Sequence, residues 1–176
     1  MVFTVTEPGS HTLEWRYFKD WSESKEQDTG WVDQVEWSGA GQPPSGSTLS
    51  DAMETSFSFA TGGDADWFSQ TTMFYNDLDA AQSGIISHNQ ESWMQTTVSG
   101  PVTVSFYWKV SSENGYDKLE FFVDGSLHDS ISGSVDWREV VQTLSAGEHE
   151  LKWSYVKDWS VSEGEDSGWV DLFVVD

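Results

Sequence analysis

Two stretches of this sequence are near copies of each other, and the duplication limits the possible folds more than any other feature. His11 to Val35 reads HTLEWRYFKDWSESKEQDTGWVDQV, and His149 to Phe173 reads HELKWSYVKDWSVSEGEDSGWVDLF. They align without a gap at a constant offset of 138 residues. Identities include His11/His149, Trp15/Trp153, Tyr17/Tyr155, Lys19/Lys157, Asp20/Asp158, Trp21/Trp159, Asp28/Asp166, Gly30/Gly168, Trp31/Trp169 and Asp33/Asp171. Each copy alternates into an acidic, glycine-containing loop and out again, the pattern of a hairpin. A two-stranded unit is marginal in water, so each copy needs further strands to cover it. One account is a tandem array with a period near 138 residues. Residues 1–37 are then the C-terminal hairpin of a preceding repeat, 38–51 a linker rich in Gly, Pro and Ser, and 52–176 a complete module. The other account docks the first hairpin into one sandwich with the second.

The rest of the chain reads as strands. Val102, Val104, Phe106, Trp108 and Val110 alternate with Thr103, Ser105, Tyr107, Lys109 and Ser111. Asn114-Gly115 and Asp124-Gly125 bracket Leu119, Phe121 and Val123, and another strand runs from Trp137 to Leu144 before Ser145-Ala146-Gly147. Shorter strands are expected at Phe57–Phe59, Met73–Tyr75, Gly84–Ser87 and Ser92–Val98, with one helical turn at Asp77–Ala81. Many short strands with turn signals between them predict an all-β antiparallel sandwich, a jelly roll, carrying an extra N-terminal hairpin. Phe106, Trp108, Leu119, Phe121 and Trp153 share faces with aliphatic residues and are expected in its core.

Charge narrows the partners. Thirty acidic residues against 8 basic give a net charge of −22, which repels phosphate backbones and excludes nucleic acid as a partner. No run approaches the roughly 20 apolar residues of a membrane span, so no insertion is expected. Met1 to Val5 lacks the charged and apolar regions of a signal peptide, so any export signal is expected upstream. With no cysteine there is no disulfide or thiolate site, and the 11 Trp supply the core area that a disordered polyanion lacks. Catalysis is not expected, because His11, His88, His128 and His149 accompany neither a metalloprotease spacing nor a serine elbow.

Two sets of residues stand out as sites. In the hairpin loops, oxygen side chains alternate as Asp158, Ser160, Ser162 and then Asp166, matched by Asp20, Ser22, Ser24 and Asp28. Such a loop offers a hard cation several oxygens, although no glutamate stands at the twelfth position. Asp171 and Asp33 fall on apolar strand faces and need a partner, either a calcium ion or a bridge to Lys157 and Lys19. Val170, Leu172 and Val174 leave the other face of that last strand apolar, so a cover is expected. The second set is a sugar-binding platform of Tyr107 and Phe122 beside Lys109, joined by the loop residues Trp159 and Trp21. Its alternative is cross-strand packing that shields the backbone.

The runs SGIISHNQ (83–90), VSFYWKVSSE (104–113), YDKLEFFVDG (116–125) and GEHELKW (147–153), with Lys157-Asp158 through Gly168-Trp169-Val170-Asp171, resemble the MAM-like and cleaved-adhesin-like jelly rolls repeated in large secreted bacterial proteins. The resemblance spans most of residues 55–176 and again 8–37. It implies a secreted or cell-surface bacterial setting, and calcium bracing through residues such as Asp158, Asp166 and Asp171. It further implies a binding role, toward glycans or surface proteins, with neighbouring repeats or self-association as further partners. A spacer or self-assembling fibre unit is the other reading.

Overall fold

The computed structural model describes residues 48–176; the chain divides into two compact units, Met1–Ala40 and Gly41–Asp176. The first hairpin, with Asp20, Asp28, Asp33 and Trp21, lies outside the described residues. Eight strands follow in order: β1 (Ala60–Gly63), β2 (Phe68–Gln70), β3 (Ala80–Gln82), β4 (Glu91–Ser111), β5 (Lys118–Val123), β6 (Ser126–Ser132), β7 (Ser134–Val156) and β8 (Ser167–Val175). All pairings are antiparallel, in the order β2-β3-β8-β4-β7-β5-β6, with β1 also on β4.

β4 and β7 build both layers. Their ladder runs from Glu91↔Val156 to Ser111↔Ser134 and breaks between Gly100 and Val102. Before the break β4 carries β1 on its free side, while β7 carries β5 and then β6. After it, β8 pairs with β4 and leads out to β3 and β2. Gly100 makes the fold-over possible, since a Cβ there would stand 1.9 Å from the Ser145 carbonyl oxygen. The segments expected as separate strands, Ser92–Val98 with Val102–Val110 and Trp137–Leu144 with the hairpin arm, are therefore single bent strands. Ser145-Ala146-Gly147 bends β7 rather than ending it.

Alternation does the sorting that the sequence predicts. Val104, Phe106, Trp108 and Val110 are buried, and so are Leu119, Phe121, Leu151, Trp153 and Tyr155. Trp153 is the centre of the core: its ring lies 5.1 Å from Phe106, 5.3 Å from Phe121 and 5.7 Å from Phe173, joining the two layers by largely edge-on contacts. Phe57 and Phe59 are not in a strand; they plug the core against Phe173 and Trp153. Met73–Tyr75 and Gly84–Ser87 are likewise irregular, and Asp77–Ala81 holds a turn and the start of β3 rather than a helical turn. β6 goes unannounced because SLHDSIS has the polar character of an edge strand. In β8, Leu172 adopts φ 52° at a register shift against β4, so two residues oppose one. This bulge corrects the expected apolar face of Val170, Leu172 and Val174: Val170 and Phe173 are buried, while Val174 faces out.

A buried lysine closes the β7–β8 connection. The Lys157 ammonium donates to Asp117 Oδ2 at 2.8 Å, to Ser162 Oγ at 3.2 Å and to Asp166 Oδ1. Asp166 also accepts from the Tyr155 hydroxyl at 3.0 Å, and Asp117 Oδ1 from the Asp158 amide at 2.9 Å. Burial pulls the Lys157 pKa down, but the bonds to Asp117 and Asp166 outweigh it and hold the group above its ordinary value. At the fold-over, His149 Nδ1 meets Asp124 Oδ2 at 2.7 Å while Nε2 lies 3.1 Å from the Ser145 carbonyl oxygen.

Both contacts are testable. The side chains of Lys157 and Asp117 are 1% and 0% exposed, so Lys157→Met strands the Asp117 carboxylate in the interior and leaves the half-buried Asp166 without its cation. It should cost about 3–5 kcal/mol in urea unfolding, and a loss under about 1 kcal/mol would mean the cluster is not a brace. The Asp124 bond raises His149 above its ordinary 6.5 and lowers Asp124 below 3.8. The stability from His149 is therefore complete below pH about 6.5 and fades as pH rises through its elevated folded value. That from Asp124 fades as pH falls below the ordinary carboxylate range. An NMR titration should show His149 titrating lower in Asp124→Asn than in the wild type.

Candidate functional site

Three regions gather polar or aromatic side chains. At the first, the β7–β8 loop, the structure brings Asp166 and Ser162 together around Lys157. Asp158 Oδ1 accepts the Ser160 amide at 2.8 Å, an Asx turn that spends one of its oxygens inside the loop. Asp158 also lies with Glu113 and Asp117, their nearest carboxylate oxygens within 4.8 Å of one another. Loss of water around Glu113, then the charges of Asp158, Asp117 and Glu163, raise its pKa. Both Asp117 oxygens are already held, however, by Lys157 and the Asp158 amide. The positive charge at the heart of this loop is the chain's own.

The second region is Asp171, and it corrects the expected Lys157–Asp171 bridge. Lys157 follows the end of β7 beside β5, whereas Asp171 pairs with Tyr107 on the outer side of β4 and β8. There the segment before β3 covers it completely. Asp171 Oδ2 accepts the amides of Tyr75 at 2.6 Å and Asn76 at 3.0 Å. Glu54 lies beside it, in a left-handed conformation at φ 47°, its Oε2 accepting the Leu172 amide at 3.1 Å. Burial, then the neighbouring Asp171, push the Glu54 carboxyl up to about 8; burial likewise raises Asp171. One oxygen of each, Glu54 Oε1 and Asp171 Oδ1, is buried without a protein partner. At neutral pH a proton shared between the two carboxyls reconciles them, and on its loss the paired oxygens form a donor set suited to a hard cation such as calcium. Glu54 was missing from the sequence reading because it lies 117 positions from Asp171 with no motif joining them.

The third region is aromatic. The expected platform of Tyr107 and Phe122 does not form. Phe122 pairs with Lys152 on the β5–β7 side, whereas Tyr107 pairs with Glu139 and Asp171 beyond the fold-over. Phe122 instead flanks Lys152, whose ammonium is 5.9 Å from its ring and 5.5 Å from that of Trp93, and bonds Glu91 at 2.7 Å. Tyr107 is stacked on Tyr75, rings 3.7 Å apart and 11° from parallel, with Trp137 6.1 Å from Tyr75 at 58°. Lys109 lies along the same outer face, tied to Asp136 at 2.8 Å. The bond with Tyr75 is the main reason the Tyr107 hydroxyl is pushed up to about 12. Trp159 stands apart in the β7–β8 loop, 75% exposed. Trp137 was legible as a strand residue but carried no site signal; Tyr75 reached the cluster only through the irregular segment that Asp171 holds.

No protein-family model matches the sequence, and no curated protein matches it. Among solved structures, the chain is similar to the secreted serine protease VesC from Vibrio cholerae, at TM-score 0.56 and 13% identity, over 73% of this chain and 26% of that one. It is also similar to the K1 cleaved adhesin domain of Lys-gingipain from Porphyromonas gingivalis, at TM-score 0.51 and 11% identity, over 67% of this chain and 89% of that domain. The chain thus spans about a quarter of the protease's length and most of the adhesin domain's. At such identities the likeness is one of fold, and the fold is a cleaved-adhesin-like antiparallel β-sandwich.

Proposed function

We propose that the chain is a non-catalytic binding module of a secreted or cell-surface bacterial protein, serving adhesion or carbohydrate binding and braced by calcium between Glu54 and Asp171. The observation that carries the binding reading is how the side chains are used. Groups that resemble catalytic machinery are consumed by the frame: Lys157, Asp117 and Asp166 lock a loop, and His149 ties the fold-over to Asp124. Large rings, by contrast, are left on the outside, with Tyr75 46% exposed. Calcium would be held by Glu54 Oε1 and Asp171 Oδ1, taking the place of the proton that the pair otherwise shares. Calcium and not zinc suits an all-oxygen site in a chain without cysteine. A spacer or self-assembling unit has one observation in its favour, the end strand β6 with Leu127 55% exposed.

The bracing is checked by thermal unfolding in EDTA, calcium or magnesium at fixed ionic strength, because screening alone stabilises a chain of charge −22. Calcium should raise the midpoint saturably and magnesium should not; an ion at 100 times its Kd adds about 2.7 kcal/mol. Glu54→Gln and Asp171→Asn should lose this response, and Glu54→Gln should be no less stable than the wild type in EDTA. Asp158→Ala should keep it, and a response lost there instead would put the ion in the hairpin loop. A midpoint indifferent to calcium ends the bracing proposal. Sedimentation that stays monomeric with rising concentration would remove the self-assembling alternative.

A further inference from the structure

We infer that the outer face bearing Tyr75, Tyr107 and Trp137 takes a neutral glycan, an assignment that rests on the binding-module reading and names its ligand. Tyr75 and Trp137 meet at 58°, two flat apolar surfaces set at an angle, and Tyr107 supports Tyr75 from beneath. The C–H face of a pyranose stacks on such rings, and its hydroxyls then need partners at the ring edges. Those partners are present: Glu139 directly across from Tyr107, and the Lys109–Asp136 pair one step along.

The face is pre-organised. Tyr75 belongs to an irregular segment, yet its amide is fixed by Asp171 Oδ2 at 2.6 Å and its ring by the Tyr107 stack. Little freedom remains to be lost on binding, which favours a weakly interacting ligand such as a sugar. Charge selects among ligands, since a chain of −22 disfavours uronic or sulfated polymers. The rival aromatic pair, Trp93 and Phe122, already holds the chain's own Lys152.

Native gels containing a soluble neutral polysaccharide (β-glucan, xylan or galactomannan) test the assignment, with polygalacturonate as the acidic comparison. The wild type should be retarded by at least one neutral polymer and not by polygalacturonate. Trp137→Ala and Tyr75→Ala should weaken retardation at least about tenfold, as expected for a central aromatic anchor, with the unfolding midpoint of Trp137→Ala near that of the wild type. Neutral-polymer retardation that survives both substitutions overturns the site while leaving the binding reading intact. Retention on a fibrinogen-coated surface but by no polysaccharide overturns the glycan and leaves an adhesive module. Retention on neither overturns both readings.

Discussion

A strand of 21 residues paired with one of 23 cannot stay flat, because each added residue pair adds twist. β4 and β7 resolve this by shifting register twice along their shared ladder and folding over at the first shift, beside Gly100. That fold-over gives the molecule two layers from one continuous set of pairings. It also decides which side chains meet. Phe106, past the break, faces Phe121 and Trp153, before it, so the core exists only because the strands turn back on themselves. The same break separates Tyr107 from Phe122.

The two polar clusters solve different problems with the same chemistry. Around Lys157, Asp117 and Asp166 are gathered by a cation belonging to the chain, although one oxygen of the neighbouring Glu113 is buried without a partner. Around Asp171, no cation among the described residues is within hydrogen-bonding reach. Two amides of a passing segment satisfy one oxygen, and a second carboxylate is brought up beside it. The first arrangement is complete in itself and serves the fold. The second sets two acidic groups side by side in the interior, where only a shared proton or an added cation reconciles them.

How much was legible in the sequence follows from which interactions are local. The faces of β4, β5 and β7 could be read from alternation, because burial on one side imposes a period of two whatever the neighbours are. The hairpin copy singled out Asp158, Ser160, Ser162 and Asp166 as a loop for a cation; Ser162 and Asp166 do gather round a charge, but it is that of Lys157, which the sequence had paired with Asp171. The sequence could not reveal the third partner, Asp117, which lies 40 positions away and completes the cage. Nor could it foresee the Leu172 bulge, which shifts the alternation of β8 and sends Phe173 inward. Glu54, Tyr75 and Asp171 meet through an irregular segment with no periodicity to betray it.

The way the chain spends its cations has a consequence for behaviour in bulk. Among the described residues, Lys109, Arg138, Lys152 and Lys157 each end on a carboxylate of the same molecule, and Lys157 is almost wholly out of contact with water. With 30 acidic residues against 8 basic in the chain, what another molecule meets is dominated by negative charge. A string of such modules would stiffen by self-repulsion as the medium is diluted and relax in brine, its contour governed by salt before any ligand arrives.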